Sequence, residues 1–160
     1  MPKEIILILD KESHTQRTLK NLLESEKYIV LAINSIDRAL QNFSEFRVAA
    51  LITEYRLDHS CTLEAVREFK RKFPESYVMM LTNDDVGENE YEEIIDAGVD
   101  DYFLKPLSAK KILLHINKGL RQRTIFLQKN RLEHELHEFG QKRDLGNSTS
   151  VDYLSGSINH

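Results

Sequence analysis

The sequence predicts an α/β protein built on a doubly wound, five-stranded parallel sheet with helices on both faces, and three observations carry that expectation. Five short apolar runs recur, at residues 5–9, 28–33, 48–52, 77–81 and 102–104. Most are rich in Ile, Val and Leu without strict alternation, the pattern of strands covered on both faces. Helically spaced segments separate them, so strand and helix alternate five times, as in repeated right-handed βαβ units.

Each element has its own local signal. After the first run, Ser13 stands as a candidate N-cap for a helix carrying Leu19, Leu22, Leu23 and Glu26. Ser35 is placed to cap a helix with Ala39, Leu40 and Phe43, and Thr62 opens a segment with Leu63, Val66 and Phe69. Gly87 precedes Tyr91, Ile94 and Ile95, with Gly98 as the stop, and Ser108 precedes Ile112, Leu113, Ile116 and Leu120.

The bulk properties narrow the class. At 160 residues the chain can bury a real core in one domain with length left over. It is 41% hydrophobic and 30% charged, and its net charge of -4 gives no reason to expect nucleic acid or an anionic membrane as partner. The lone Cys61, read as a small residue at a helix start, excludes an internal disulfide and points to an intracellular setting. The opening MPKEIILILDKE reads as a strand and not a signal peptide, and no segment is long enough to span a bilayer. A soluble, cytoplasmic protein is expected.

In an open parallel sheet, ligands bind outside the carboxyl ends of the strands. The first run ends at Asp10, the third at Glu54, the fourth at Thr82, and the fifth at Lys105 followed by Pro106. Two carboxylates, a hydroxyl and an ammonium converging there form a candidate site.

On these residues the chain resembles the receiver domain of bacterial response regulators, the CheY-like, flavodoxin-like fold. The resemblance covers about residues 3–120 and is most specific in DAGVDDYFLKPL at 96–107, with ILILDKE at 5–12 and MMLTN at 79–83. It implies sheet order 2-1-3-4-5 and a two-component, phosphorelay role without enzymatic activity of its own. In that family a strand-3 aspartate accepts a phosphoryl group and an acidic pair after strand 1 holds Mg²⁺. A hydroxyl after strand 4 meets the phosphate, and the strand-5 lysine steadies the charge. Metal and pocket together neutralise and align an in-line transfer.

The chain departs where that chemistry is most demanding. ITEYRL puts Glu54 on the phosphoacceptor position, and Asp10-Lys11 replaces the acidic pair. Glu12 matches a third acid that should point outward, the family's Met-Pro and Asp-Gly pieces give way to Leu57-Asp58-His59-Ser60-Cys61-Thr62, and Asn83 is larger than usual. Glu54 carries its carboxylate about 1.3–1.5 Å further than an aspartate would, and a misplacement of about 1 Å can cost about a hundredfold in rate. Lys11 adds positive charge at the metal locus and can neutralise Asp10 or Glu54. The expectation is a degenerate pseudo-receiver without a cofactor, in which Glu54 pairs with Lys105, Lys11 or both. A Mg²⁺ ion, if held at all, would use Asp10, Glu54 and the Arg56 backbone. Thr82 and Tyr102 match the family's switch pair, which reshapes the face of the fourth helix, fifth strand and fifth helix. Lys105-Pro106 resembles the family's cis turn, which aims the lysine inward.

Beyond a receiver-like domain at 1–120, residues 121–139 contain no Pro or Gly and carry Ile125, Leu132, Leu136 and Phe139 at intervals of seven, four and three. That spacing fits a helical stalk pairing as a short coiled coil, with a solvated extension of the fifth helix as the alternative. His134 and His137 read as exposed polar positions. Residues 140–150 have a linker's composition, and 140–160 is expected to be linker and the start of a truncated output domain. Asp152, Leu154, Ser155, Gly156 and Asn159 resemble the opening of diguanylate cyclase domains, with Ser155 and His160 departing from that pattern. The reading is a regulatory module, dimerising through the helix-4, strand-5, helix-5 face, the stalk or both, acting on a C-terminal output domain and receiving input from a sensor kinase. Its rivals are a phosphorylation-competent receiver using Mg²⁺ with Glu54 or Asp58, and a stand-alone protein-binding adaptor. An enzyme on this scaffold lacks a phosphate-cradling Gly-rich loop.

Overall fold

The computed structural model describes the backbone of residues 3–158 and the side chains of residues 3–144. The chain divides into two units, residues 1–123 and 124–160. In the first, strands β1 (Ile5–Leu9), β2 (Ile29–Ile33), β3 (Ala50–Thr53), β6 (Tyr77–Thr82) and β7 (Asp101–Leu104) form one sheet of order β2-β1-β3-β6-β7. Every neighbouring pair in it is parallel. Counting only these five strands, the order is the expected 2-1-3-4-5.

Side chains alternate along each strand, and the alternation builds two cores. Leu7, Leu9, Leu51, Val78 and Met80 pack with Phe43 of α2 (Ile36–Glu45), Phe69 of α3 (Leu63–Lys72) and Ile94 of α4 (Glu88–Ala97). Ile6, Ile8, Ile52, Met79 and Leu81 pack with Leu19 and Leu23 of α1 (Ser13–Ser25) and with Ile112, Ile116 and Leu120 of α5 (Ala109–Ile158). The strands therefore read as apolar throughout because each residue has a helix layer to face. A Cβ on Gly119 would lie 2.3 Å from the Tyr77 ring, so α5 approaches β6 only because that position lacks a side chain.

The local signals were met unevenly. Ser35 caps α2 by accepting the Arg38 N–H at 3.1 Å, and Gly98 ends α4 in the left-handed region at φ 108°. Ser13 is the first helical residue of α1, and Glu12, without a side-chain capping bond, holds the cap position. Cys61 does not start a helix. It lies on a hairpin of β4 (Arg56–Leu57) and β5 (Ser60–Cys61) whose turn puts Asp58 at φ 56°. Asp and Asn tolerate that conformation better than most residues, and the polar turn Asp58-His59 supplies it.

The second unit is helical throughout its described backbone. Residues 140–158, read from composition as linker, continue α5 without a break. No proline follows Pro106, and Gly140, Gly146 and Gly156 cost only about 1 kcal/mol each relative to alanine in a helix. The cyclase-like residues Asp152, Leu154, Ser155 and Gly156 lie outside the described side chains, and Asn159 and His160 outside the described residues. Among the described residues, no helix is long and apolar enough to cross a membrane.

Candidate functional site

Parallel register brings the strand ends together. Leu9 pairs with Thr53, Thr53 with Met80, and Thr82 with Leu104, so the residues that follow them emerge along one edge. Each polar residue is still fixed by the sheet's own ladder as it leaves. Asp10 N–H donates to Ile33 O at 3.1 Å, Glu54 N–H to Leu9 O at 2.9 Å, and Lys105 N–H to Thr82 O at 2.7 Å. The backbone is held, so the side chains start from defined points.

The Lys105 ammonium lies between the two strand-end acids. Its Nζ is 2.8 Å from Asp10 Oδ2, 2.8 Å from Glu54 Oε2 and 3.4 Å from Glu12 Oε2. Asp10 and Glu54 are buried, and the lysine side chain is 10% exposed. Burial works to lower the lysine pKa. The hydrogen bonds and charges of Asp10 and Glu54 outweigh it, and the net shift is upward. The carboxylates' remaining oxygens are also occupied: Glu12 N–H donates to Asp10 Oδ1 at 2.9 Å and Tyr55 N–H to Glu54 Oε1 at 3.1 Å. Thr62 Oγ1 donates to Glu54 O at 2.7 Å, tying the acceptor-position backbone to the start of α3. Buried charges persist when partnered in this way, and removal of one member leaves the others costly.

Lys11 does not join this cluster. It turns outward and pairs with Asp58 on the hairpin, so the expectation that it neutralises Asp10 or Glu54 is corrected. The hairpin supplies an acid nearer to Lys11 that stays in water, and neither charge need be desolvated. Glu12 is corrected in the other direction: half-exposed, it nevertheless turns toward Lys105. Arg56, on β4, lies over the Tyr55 ring at 5.0 Å and reaches Glu90 of α4 at 3.7 Å. These residues wall an open cavity of about 530 Å³ that also meets Asp10, Glu54, Thr82 and Asn83.

Thr82 and Tyr102 converge on one acceptor. Thr82 Oγ1 and Tyr102 OH each donate to the Asp84 carbonyl at 3.3 Å, and the Tyr102 ring meets Tyr91 of α4 edge-on at 5.9 Å. Burial first, then the Asp85 charge, holds the Tyr102 phenol above its ordinary pKa. The tyrosine hydroxyl is thus engaged by the loop between β6 and α4. The Lys105-Pro106 peptide is cis.

A family site of this kind implies Mg²⁺, which takes hard oxygen ligands in octahedral array. The donor set here does not fit one. Asp10 Oδ2 and Glu54 Oε2 are both turned to the Lys105 ammonium, and Asp58 is turned to Lys11. Among the described residues no group of three or more His, Cys, Asp or Glu is arranged to hold a metal ion. Sequence reasoning located Asp10, Glu54, Thr82 and Lys105, and it missed Glu12, Asp58 and Glu90 as partners. The hairpin that places Asp58 could have been sought in the polar Leu57-to-Cys61 stretch, but two-residue strands give no periodic signal.

Comparisons with known proteins bear on the family and the fold. The response regulator receiver domain family matches residues 6–117. The transcriptional regulatory protein ResD of Bacillus subtilis is 25% identical over 117 residues, covering 73% of this chain and 48% of that protein. The transcriptional regulatory protein SrrA of Staphylococcus aureus is 28% identical with the same coverage, so the chain spans about half the length of these curated relatives. Among solved structures, a CheY-like receiver domain protein from Methanospirillum hungatei superposes with a TM-score of 0.72 at 20% identity, covering 77% of this chain and 98% of that one.

Proposed function

The chain belongs to the response regulator receiver family, and from that premise we propose that it is an atypical member whose acceptor-position acid is neutralised by its own lysine and takes no phosphoryl group. A receiver is a regulatory domain in two-component signalling, not an enzyme. The observation that carries the finer reading is the placement of Lys105 Nζ 2.8 Å from both Asp10 and Glu54. In this reading Glu54 stands on the acceptor position as a permanent negative charge. The fixed cation does the work that a diffusible metal does elsewhere in the family. In this reading Thr82 and Tyr102, whose hydroxyls share the Asp84 carbonyl, act as the switch pair and set the surface of α4, β7 and the start of α5.

Incubation with acetyl phosphate and Mg²⁺ followed by intact-mass measurement tests the reading. No gain is expected, and stoichiometric addition of one phosphoryl group would overturn it in favour of a competent receiver. A change of aspartate for Glu54 with an acid for Lys11 (E54D/K11D) is expected to restore labelling, because it returns the shorter nucleophile and the second metal-side acid together.

The pocket's bias is relayed to a C-terminal output domain, through dimerisation on the α4–β7–α5 face, the helix at 121–139, or both, with a sensor kinase as a candidate upstream partner and the cytoplasm as the site of action. Two output classes have support. The residues at 152–160 resemble a diguanylate cyclase opening, while ResD and SrrA are transcriptional regulatory proteins about twice as long as the matched span. Cyclic dinucleotide synthesis from GTP against operator binding by the full-length protein separates them.

A further inference from the structure

We infer that residues 125–139 pair with the same residues of a second copy as a short, parallel, in-register two-helix seam. This rests on the dimerisation named above and narrows it to one surface and one orientation. Ile125, Leu132, Leu136 and Phe139 are each between 57% and 65% exposed. At about 100° per residue they fall within an arc of about 60° on the helix. Phe126, 43% exposed, stands about 100° from Ile125 beside this line, and core residues at heptad spacing with an apolar flank suit a second helix of the same period. Ile125, Leu132 and Phe139 recur every seven residues and take one core position of a heptad. Leu136 takes the other, with Lys129 one repeat before it and Arg143 one repeat after.

The polar flanks need no partner. Lys129 lies 4.0 Å from Glu133, Arg131 3.9 Å from Glu135 and His134 3.2 Å from Glu138, each within its own helix. What remains uncovered is the apolar line and, at a flanking position beside it, Phe126. In a parallel, in-register pair the flanking positions set Gln128 against the second copy's Glu133 and Glu135 against Gly140, so no like charges oppose there. Lys129 meets its own counterpart at a core position. A single polar residue at such a position fixes register and oligomer state at a cost in stability, and its long stem lets the ammonium reach water. The seam is therefore specific and weak.

Light scattering and sedimentation of the full chain over a range of concentrations test the inference. A concentration-dependent dimer is expected. Leu132→Glu with Leu136→Glu should give a monomer, and Lys129→Leu should tighten association at least tenfold. Ile95→Glu with Leu104→Glu, on the α4–β7 surface, should leave the mass unchanged. All of these positions are exposed, and circular dichroism checks that each variant folds. In a chain carrying Cys61→Ser and Ile125→Cys, mild oxidation should cross-link two copies, because only a parallel pair brings the two 125 positions together. A wild-type monomer at every concentration, a dimer that survives L132E/L136E, or a dimer dissolved by I95E/L104E would overturn the seam. A dimer without the 125 cross-link would overturn its orientation. These outcomes are independent of the pocket: phosphoryl uptake would sink the lysine-neutralised reading without altering any of these masses.

Discussion

The strand-end pocket and the helix at 125–139 handle charge in opposite ways. In the pocket, buried acids and one ammonium are held by a backbone that leaves them little freedom, and the charges are matched across three separate strands. On the helix, ion pairs join residues four apart in water and the apolar side chains are the ones left outside. The contrast teaches that a charge contributes according to what happens when its partner is lost. In the pocket the survivor cannot be rehydrated, whereas on the helix it simply turns to solvent.

The largest break in that comparison should come from Lys105→Met. It strands Asp10 and Glu54 with no cation between them, and urea unfolding should register a loss of about 3–5 kcal/mol. Glu54→Gln should cost less, about 1.5–3 kcal/mol, because Asp10 still partners the lysine.

Alkaline titration sharpens the comparison further. Lys105 has a folded-state pKa raised above its unfolded value, so its contribution is full below about 10.4 and is lost as pH rises through the higher folded value. Tyr77 acts with the same sign. Burial, then its 2.5 Å hydrogen bond to Asp101, raises the phenol, and the stability tied to its proton falls away above about 10. Wild type should therefore lose stability more steeply above that pH than Tyr77→Phe, as read by fluorescence-monitored unfolding. The smallest effects belong to the exposed pairs. Lys11→Ala and Arg131→Ala should each fall within about 1 kcal/mol of wild type in the same assay, and a larger loss in either would erase the distinction between the two regions.

Much of this was legible in the sequence, and the reason is geometric. Apolar runs without alternation gave the doubly covered strands, and the parallel register then forced Asp10, Glu54, Thr82 and Lys105 to one edge. The partner of Lys11 was not legible, because it depends on Asp58 adopting a left-handed turn in a hairpin too short to show a period. Glu12 was misjudged because its direction follows from the first turn of α1, which starts one residue after it. The helix past residue 139 was hidden by glycines and small polar residues whose composition resembles a linker. The close packing of Gly119 on Tyr77 joins residues 42 positions apart and leaves no trace in either segment alone.

Arg123 ends the first unit buried, and its guanidinium donates to both oxygens of Glu4 at 3.1 and 3.3 Å. On the ribosome Glu4 must wait until 119 more residues have been made before its counter-charge exists. The clasp can close only when nearly the whole receiver has left the exit tunnel, so a nascent chain halted before Arg123 carries an unlatched first strand. Completion of the domain is thereby timed by its final turn.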